Sequence, residues 1–451
     1  MREKVIDFYK NKIKDKLFCI NAGSLEQKNE FKKDQQRNFL KSFYLNYGLL
    51  GLATNLKEKE FNVEMAQAND LTPIDFLKAY KKWIFKSDIL LIAIPSFYSL
   101  SWVIKFINLI KKIKLSCKLA VGGRWVIDNN LNFIENKIPL NVSIIQGCPD
   151  DFVELMILKI KQNQRLIGPF QYSKAFERLD YSILINYKKY QPVLEIARGC
   201  PYQCSFCLEK KYRFIKNKTA QHLIDEILNL IQIYQNPNLN IYLEGAIFIP
   251  TLKWVLEFEK LYKKYNLKVK FRLQIRAETI KNLKIFSHLA NAGVKVIDVG
   301  LESASVLQLI NMQKVQTIQQ AQQYLNSAQN IIKTAAENGI WIKLNILLFP
   351  GETEKSINET INFLTINKKY IKGISANPLI LYLNENNFDF IDQIEKLSQS
   401  KVNLVELNQK GYILAPINKN FNIDLYLSKI INLFSIKDYN DLKRITYTKN
   451  F

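Results

Sequence analysis

Histidine is almost missing from this chain: two residues in 451, His222 and His288. Residues 1–221 contain no imidazole at all, so any ligand set there must be built from other groups. Glycine is scarce at 15 residues, which excludes collagen-like and glycine-rich repeat architectures. Long hydrophobic runs are lacking too. The longest uncharged apolar stretch, Ile89 to Ile104, is interrupted by Pro95, Tyr98 and three serines. It is too short and too polar for a membrane span. Met1 to Asp7 lacks the apolar core of a signal peptide. A soluble cytoplasmic protein is expected, with no membrane partner. Cysteine is absent after Cys207, and the six that exist are too few for a secreted disulfide scaffold of this length.

What is present is globular: 48% apolar and 23% charged residues. The length favours two or three domains. Lys plus Arg is 64 against 41 Asp plus Glu, a formal charge of +23. Such a surface can attract phosphates, nucleic acid or acidic peptides. The lysines are nevertheless scattered among Asn and Ile along the whole chain, as on a solvated surface. No nucleic-acid-binding motif stands out, and a nucleic acid partner is not expected.

Periodicity predicts two successive α/β series. In the first, Leu17 to Asn21, Phe61 to Ala66, Asp88 to Pro95, Lys118 to Val121 and Val142 to Ile145 read as strands. Gly48 to Glu58, Pro73 to Phe85 and Ser101 to Ile113 read as helices. Strands separated by helices imply a doubly wound parallel sheet over residues 1–160. Residues 161–190, with Gly168 and Pro169, read as a linker. The second series spans 191–382. Its strands are expected at 193–197, 240–244, 269–275, 295–300, 340–347 and 373–382. Its helices are expected at 219–235, 252–265, 279–292, 317–338 and 354–366. Six strand–helix units suggest a partial (βα)6 barrel with its chemistry at the carboxyl ends of the strands. Residues 383–451 read as mostly helical, with one extended stretch at Gly411 to Ala415.

Three of the six cysteines, Cys200, Cys204 and Cys207, fall within eight residues. The C-x3-C-x2-C loop follows the first strand of the second series. Soft thiolates at this density favour an iron–sulfur centre, and three ligands leave one iron of a four-iron cluster open. A zinc site or unrelated cysteines are the alternatives, although zinc wants a fourth ligand and none lies nearby.

This loop resembles the hallmark of the radical S-adenosylmethionine (SAM) superfamily, including an aromatic, Phe206, before the last cysteine. The resemblance implies that Cys200, Cys204 and Cys207 hold a [4Fe–4S] cluster and that Phe206 lies near the adenine of SAM. It extends to Glu244-Gly245, at the place of the turn that holds the methionine amino group, although the usual paired glycines are missing. It continues through Arg276-Ala277-Glu278-Thr279, Gly300-Leu301-Glu302-Ser303 and Phe349-Pro350-Gly351-Glu352-Thr353, each after a successive strand. By resemblance, Glu244, Gly245, Arg276, Glu302, Ser303 and Gly351 are candidate SAM contacts. Each also has a simpler reading: Arg276 and Glu302 as rim ion pairs, Gly351 as a turn.

The first series resembles the cobalamin-binding domain that precedes the barrel in one branch of that superfamily. The matching residues include Gly48 to Ala53, Ser87 to Ala93, Ser96 to Ser99, Val121-Gly122-Gly123 and Gln146-Gly147. Ser96, Ser99, Gly122, Gly123 and Gly147 are the implied corrinoid contacts. The histidine motif of classical cobalamin mutases is absent, and Arg124 and Trp125 place bulk after the glycine pair. Cys19, Cys117 and Cys148 read as core filling, or else as a second cluster of the kind found in methylthiotransferases.

The resemblance implies an enzyme that cleaves SAM reductively to a 5′-deoxyadenosyl radical. With cobalamin it implies C-methylation at an unactivated carbon of a small molecule or peptide. It also implies an electron donor such as flavodoxin or ferredoxin. The alternatives are a non-methylating tailoring enzyme with a vestigial first domain, a methylthiotransferase-like enzyme, and a sensor without turnover.

Overall fold

The computed structural model describes residues 15–25, 45–113, 116–126, 130–171, 176, 178–211, 216–384, 388–419 and 421–435. The chain divides into two compact units, Met1–Tyr190 and Gln191–Phe451.

Unit one is a six-stranded sheet, parallel throughout, of β1 (Lys16–Asn21), β2 (Asn62–Gln67), β3 (Ile89–Ala93), β4 (Lys118–Gly122), β5 (Ser143–Gly147) and β6 (Leu166–Phe170). The spatial order is β2-β1-β3-β4-β5-β6, which puts the topological switch point between β1 and β3. The five residues of β3 are all buried, as expected for a run of Ile and Leu inside a sheet covered on both faces. Helices α1 (Tyr47–Glu58), α2 (Pro73–Ile84), α3 (Leu100–Lys112), α4 (Leu131–Lys137) and α5 (Val153–Lys161) connect the strands. The start of α2 is written locally: Thr72 caps the Asp75 amide and Pro73 occupies the first turn. Phe76 then packs edge-on against Trp102 and Phe106 of α3, with ring centroids 5.5 and 5.7 Å apart. Each such pair adds about 0.5–1.5 kcal/mol beyond the area it buries.

Two corrections arise here. The stretch expected to be linker contributes β6 to the sheet, and unit one continues to Tyr190. Gly168 and Pro169 argued against a strand, but β6 is an edge, where a missing N–H costs no ladder bond. Helices α4 and α5 were not anticipated.

Unit two holds β7 (Val193–Arg198), β8 (Lys216–Asn217), β9 (Asn240–Gly245), β10 (Lys270–Arg276), β11 (Val294–Glu302), β12 (Trp341–Leu348) and β13 (Ile371–Pro378). Their order is β13-β12-β11-β10-β9-β7-β8. The six long strands are parallel and lie in sequence order; only the two-residue β8 is antiparallel, against the end of β7. The connecting helices are α6 (Ala220–Tyr234), α7 (Leu252–Lys264), α8 (Ile285–Asn291), α9 (Val306–Asn311), α10 (Ile318–Glu337) and α11 (Glu354–Ile366). Thr219, Thr251, Thr317 and Thr353 cap α6, α7, α10 and α11. The expected helix at 279–292 is only the seven residues of α8.

The expected strand 373–382 breaks at Leu379. β14 (Ile380–Tyr382) turns away to pair antiparallel with β15 (Tyr412–Leu414). Around this ribbon lie α12 (Phe388–Ser398), α13 (Leu404–Lys410) and α14 (Ile423–Ile431), so the described part of the last region is mostly helical. No helix among the described residues is long and apolar enough to cross a membrane.

The strands of unit two have two unlike faces. In β12, Ile342, Leu344, Ile346 and Leu348 are buried, while Trp341, Lys343, Asn345 and Leu347 are half-buried. Strand register places Lys343 beside Asp298, and Asn345 beside Gly300 and Ser375. On this polar face the Arg272 guanidinium grips Asp298 through Nε and Nη2, and Lys343 Nζ lies 3.2 Å from the same carboxylate. Arg272 also sits over the Tyr242 ring at 5.4 Å. Burial alone would raise the Asp298 pKa; the two cations outweigh it and hold the carboxyl below its ordinary range.

Candidate active site

The cysteine loop leaves β7 at Gly199, whose φ of +80° lies in the left-handed region, and returns at β8. Behind its start, Arg198 makes two hydrogen bonds to Glu195, at 2.7 and 2.6 Å. The loop is pinned in the middle: the Ser205 N–H and hydroxyl both donate to the Met312 carbonyl, at 2.9 and 3.1 Å. The Cys207 amide donates back to the Cys204 carbonyl at 3.1 Å, forming a tight turn between two of the thiols. Cys204 is buried; Cys200 and Cys207 are half-buried. Burial pushes the Cys207 thiol up to about 11 and raises Cys200 as well. Binding metal must therefore release their protons.

Among the described residues, no three His, Cys, Asp or Glu side chains converge as one metal ion requires. The corners of a four-iron cluster do not ask for that convergence, because each thiolate takes its own iron. Three thiols on one pinned loop fit such a cluster.

Arg276 ends β10 and reaches this loop. Its Nη1 donates to Cys204 Sγ at 3.0 Å, its Nη2 to the Lys314 carbonyl and its Nε to Glu278. The Tyr202 ring covers the guanidinium at 3.9 Å. Burial works against the Arg276 charge, but Glu278, Cys204 and Tyr324 outweigh it and raise its pKa. Beside these groups lies a cavity of about 710 Å³ lined by Tyr202, Gln203, Arg276, Glu278, Lys314 and Tyr324, among others.

The other expected SAM contacts all sit at the carboxyl ends of the parallel strands, on the edge that carries the loop. Glu244 and Gly245 end β9, Glu302 ends β11 with Ser303 following it, and Gly351 follows β12. Glu302 has φ +66° at a register shift, a strained position for a residue with a Cβ, and strain of this kind clusters at functional sites. Its carboxylate lies 3.5 Å from Lys314 Nζ. Three of the set have packing duties. A Cβ on Gly245 would come 2.9 Å from the Ala197 carbonyl oxygen. The Ser303 hydroxyl meets Thr360 and accepts from the Ser305 amide. Gly351 has φ +86° in the turn before α11. Phe206 lies against the hydrophobic cluster of Met312 and Phe349, its ring centroid 6.4 Å from that of Phe349. Tyr202, Lys314 and Tyr324 were not anticipated; Tyr202 is a spacer residue of the cysteine motif, the other two belong to no motif, and only the folded chain brings all three to Arg276.

Glu352 in the same turn is buried, and burial pushes its pKa up to about 8 against the help of the Ser356 hydroxyl. An unfolded glutamate titrates near about 4.3. Between these values the native state keeps a proton that the unfolded chain has released, so stability falls as pH rises. Glu352→Gln is expected to flatten that dependence. Its advantage over the natural chain should grow from pH 5 to pH 8, with an upper bound of about 4–5 kcal/mol, in denaturant titrations at each pH.

In unit one, Ser96 and Ser99 follow β3, Gly122 ends β4 with Gly123 after it, and Gly147 ends β5, all at carboxyl ends. The glycines are filled around. A Cβ on Gly122 would meet Ile145 at 3.2 Å, one on Gly123 the Ile94 backbone at 3.0 Å, and one on Gly147 the Phe170 carbonyl oxygen at 2.0 Å. Trp125 folds back so that its indole N–H donates to the Pro95 carbonyl. Gly147→Ala, at φ +86°, is expected to cost about 2–3 kcal/mol by prising β6 from β5, read as a lowered Tm. The three remaining cysteines do not meet. Cys117 precedes β4 and Cys148 follows β5, so they lie at opposite edges of a parallel pair, while Cys19 is buried within β1. A strand of five residues separates such ends by roughly 16 Å.

The sequence model of the radical SAM superfamily matches residues 194–364, from within β7 to within α11. These residues form a radical SAM region. Such a region implies a [4Fe–4S] cluster and SAM, and the matched residues contain the three-cysteine loop. An uncharacterized methyltransferase of Pyrococcus horikoshii is 25% identical over 240 residues, which is 49% of this chain and 50% of the relative. The radical SAM methyltransferase TsrM from Kitasatospora setae, solved with cobalamin and a [4Fe–4S] cluster, is 12% identical with a TM-score of 0.68, covering 97% of this chain and 96% of that one. The cobalamin-dependent radical SAM enzyme OxsB, solved with aqua-cobalamin, is 16% identical with a TM-score of 0.65, covering 90% of this chain and 65% of that one. The chain spans about half the length of the curated relative. The likeness to TsrM and OxsB is one of fold, and it extends over both units.

Proposed function

We propose that this chain is a radical SAM enzyme that transfers a methyl group to an unactivated carbon with the help of cobalamin. The observation that carries the reading is one chain holding both parts: the pinned three-thiol loop at the carboxyl edge of the second sheet, and a first sheet with a switch point between β1 and β3. The full-length fold likeness to TsrM supports it.

Cys200, Cys204 and Cys207 would hold the cluster, which when bound supplies the electron that splits SAM into methionine and a 5′-deoxyadenosyl radical. Glu244 and Glu302 stand at strand ends where carboxylates can orient the amino group and ribose of SAM. Ser96 and Ser99, after β3, are the side chains that would meet a corrinoid, which when bound supplies a transferable methyl group. Residues 1–190 offer no histidine as a lower ligand. The polar face around Gln274, Lys343, Asn345 and Ser375 is partly exposed and suits a polar small molecule or peptide side chain. A low-potential donor such as flavodoxin or ferredoxin would supply electrons.

A second reading, a radical enzyme that does not methylate, draws support from the packing roles of Gly122, Gly123 and Gly147. The separation of Cys19, Cys117 and Cys148 speaks against a second cluster of the methylthiotransferase kind. The deciding experiment is anaerobic reconstitution of protein produced with cobalamin available. Iron, sulfide and corrinoid are counted, then 5′-deoxyadenosine and S-adenosylhomocysteine after reductant and SAM. One four-iron cluster with stoichiometric corrinoid supports methyl transfer. A cluster and 5′-deoxyadenosine without corrinoid leaves the second reading, and no cluster overturns both.

A further inference from the structure

Arg276 is held in a way that a SAM contact or a rim ion pair does not require. Each of its three guanidinium nitrogens is committed: Nη1 to Cys204 Sγ at 3.0 Å, Nη2 to the Lys314 carbonyl, Nε to the Glu278 carboxylate. Tyr202 lies against the guanidinium at 3.9 Å, and Tyr324 is at 5.8 Å. The side chain is 7% exposed. The cation therefore cannot swing away from the sulfur, and little water screens it. Tyr202 stands between Cys200 and Cys204 in sequence, so its ring belongs to the same loop as the thiols it helps to enclose.

A [4Fe–4S] cluster with three thiolates becomes more negative by one charge when an external one-electron donor reduces it. Hydrogen bonds to its sulfurs and nearby charge set how easily that happens. A charge-assisted N–H···S contact favours the more negative state. Glu278 opposes it, because its carboxylate partly neutralises the same guanidinium. We propose that Arg276 is a positioning residue that raises the reduction potential of the cluster through Cys204, and that Glu278 trims the effect. This rests on the radical SAM reading of the loop.

The test is a redox titration of reconstituted protein without SAM, following the electron paramagnetic resonance signal of the reduced cluster, with iron counted in each sample. Arg276→Met keeps much of the apolar stem under Tyr202 and removes the charge. Its reduced-to-oxidised ratio at a fixed poise should fall about tenfold, which for one electron is about 59 mV to lower potential. Arg276→Lys should lie between Met and the natural chain, and Glu278→Gln should shift the other way. A purely structural role for Arg276 has no reason to move the two variants in opposite directions. An unchanged potential in Arg276→Met with full iron overturns the proposal. If that variant takes up no iron, Glu278→Gln decides: an unchanged or lowered potential overturns it. Failure of the reading beneath looks different, because the natural chain itself would then assemble no four-iron cluster.

Discussion

Cys204→Ala is expected to lose its iron, its visible absorption and its SAM cleavage together. Cys204 is the buried member of the three thiols, and it alone accepts from Arg276. On the proposed ligand assignment its loss removes one cluster corner, and it leaves a buried guanidinium N–H without its acceptor, a second penalty. Losing an outer partner of a metal ligand typically costs ten- to a hundredfold, so losing the ligand should lower 5′-deoxyadenosine formation by more than about a hundredfold. Iron analysis after anaerobic reconstitution and a timed product assay check both parts. Cys19→Ala is the control, since Cys19 is buried within β1, far along the chain from the loop. Full iron in Cys204→Ala would move the ligand assignment elsewhere.

The second large effect concerns stability. Asp298→Asn should destabilise unit two by about 3–5 kcal/mol, because Arg272 and Lys343 then share a buried site without their carboxylate. Denaturant titration monitored by tryptophan fluorescence gives the value. Replacing all three together, Arg272→Leu, Asp298→Leu and Lys343→Met, should recover much of the loss, since apolar groups of similar volume leave no charge unpaired. A triple variant no more stable than the single one would mean that the trio acts through shape rather than charge.

Much of this architecture can be read along the chain because its signals are local. Ile89 to Ala93 is an unbroken apolar run, and it became a fully buried central strand. The helices expected from 219, 252, 317 and 354 begin within one residue of those positions, each behind a capping threonine. The cysteine loop was legible because its three thiols are sequence neighbours. What was not legible depends on register or on distant contact. β6 was missed because glycine and proline weigh against a strand, and its edge position, which removes the objection, appears only in the sheet. Arg276 was a candidate through the resemblance, yet its partner Cys204 is 72 residues away and Lys314 is 38. The Arg272, Asp298 and Lys343 trio crosses three strands, and a one-residue slip in any of them would dissolve it. Gly122, Gly123 and Gly147 were named by resemblance as corrinoid contacts, and the close neighbours that a Cβ would meet at each appear only in the folded chain.

The two hydrogen bonds from Ser205 to the Met312 carbonyl have a consequence for assembly of the site. The loop is anchored to the turn after α9 by two hydrogen bonds of the protein's own. Much of the entropy of ordering the ligands is then lost during folding rather than when metal arrives. Small zinc modules do the reverse and unfold when stripped. Here the two hydrogen bonds of Ser205 should keep the loop docked on Met312 when a chelator removes the metal.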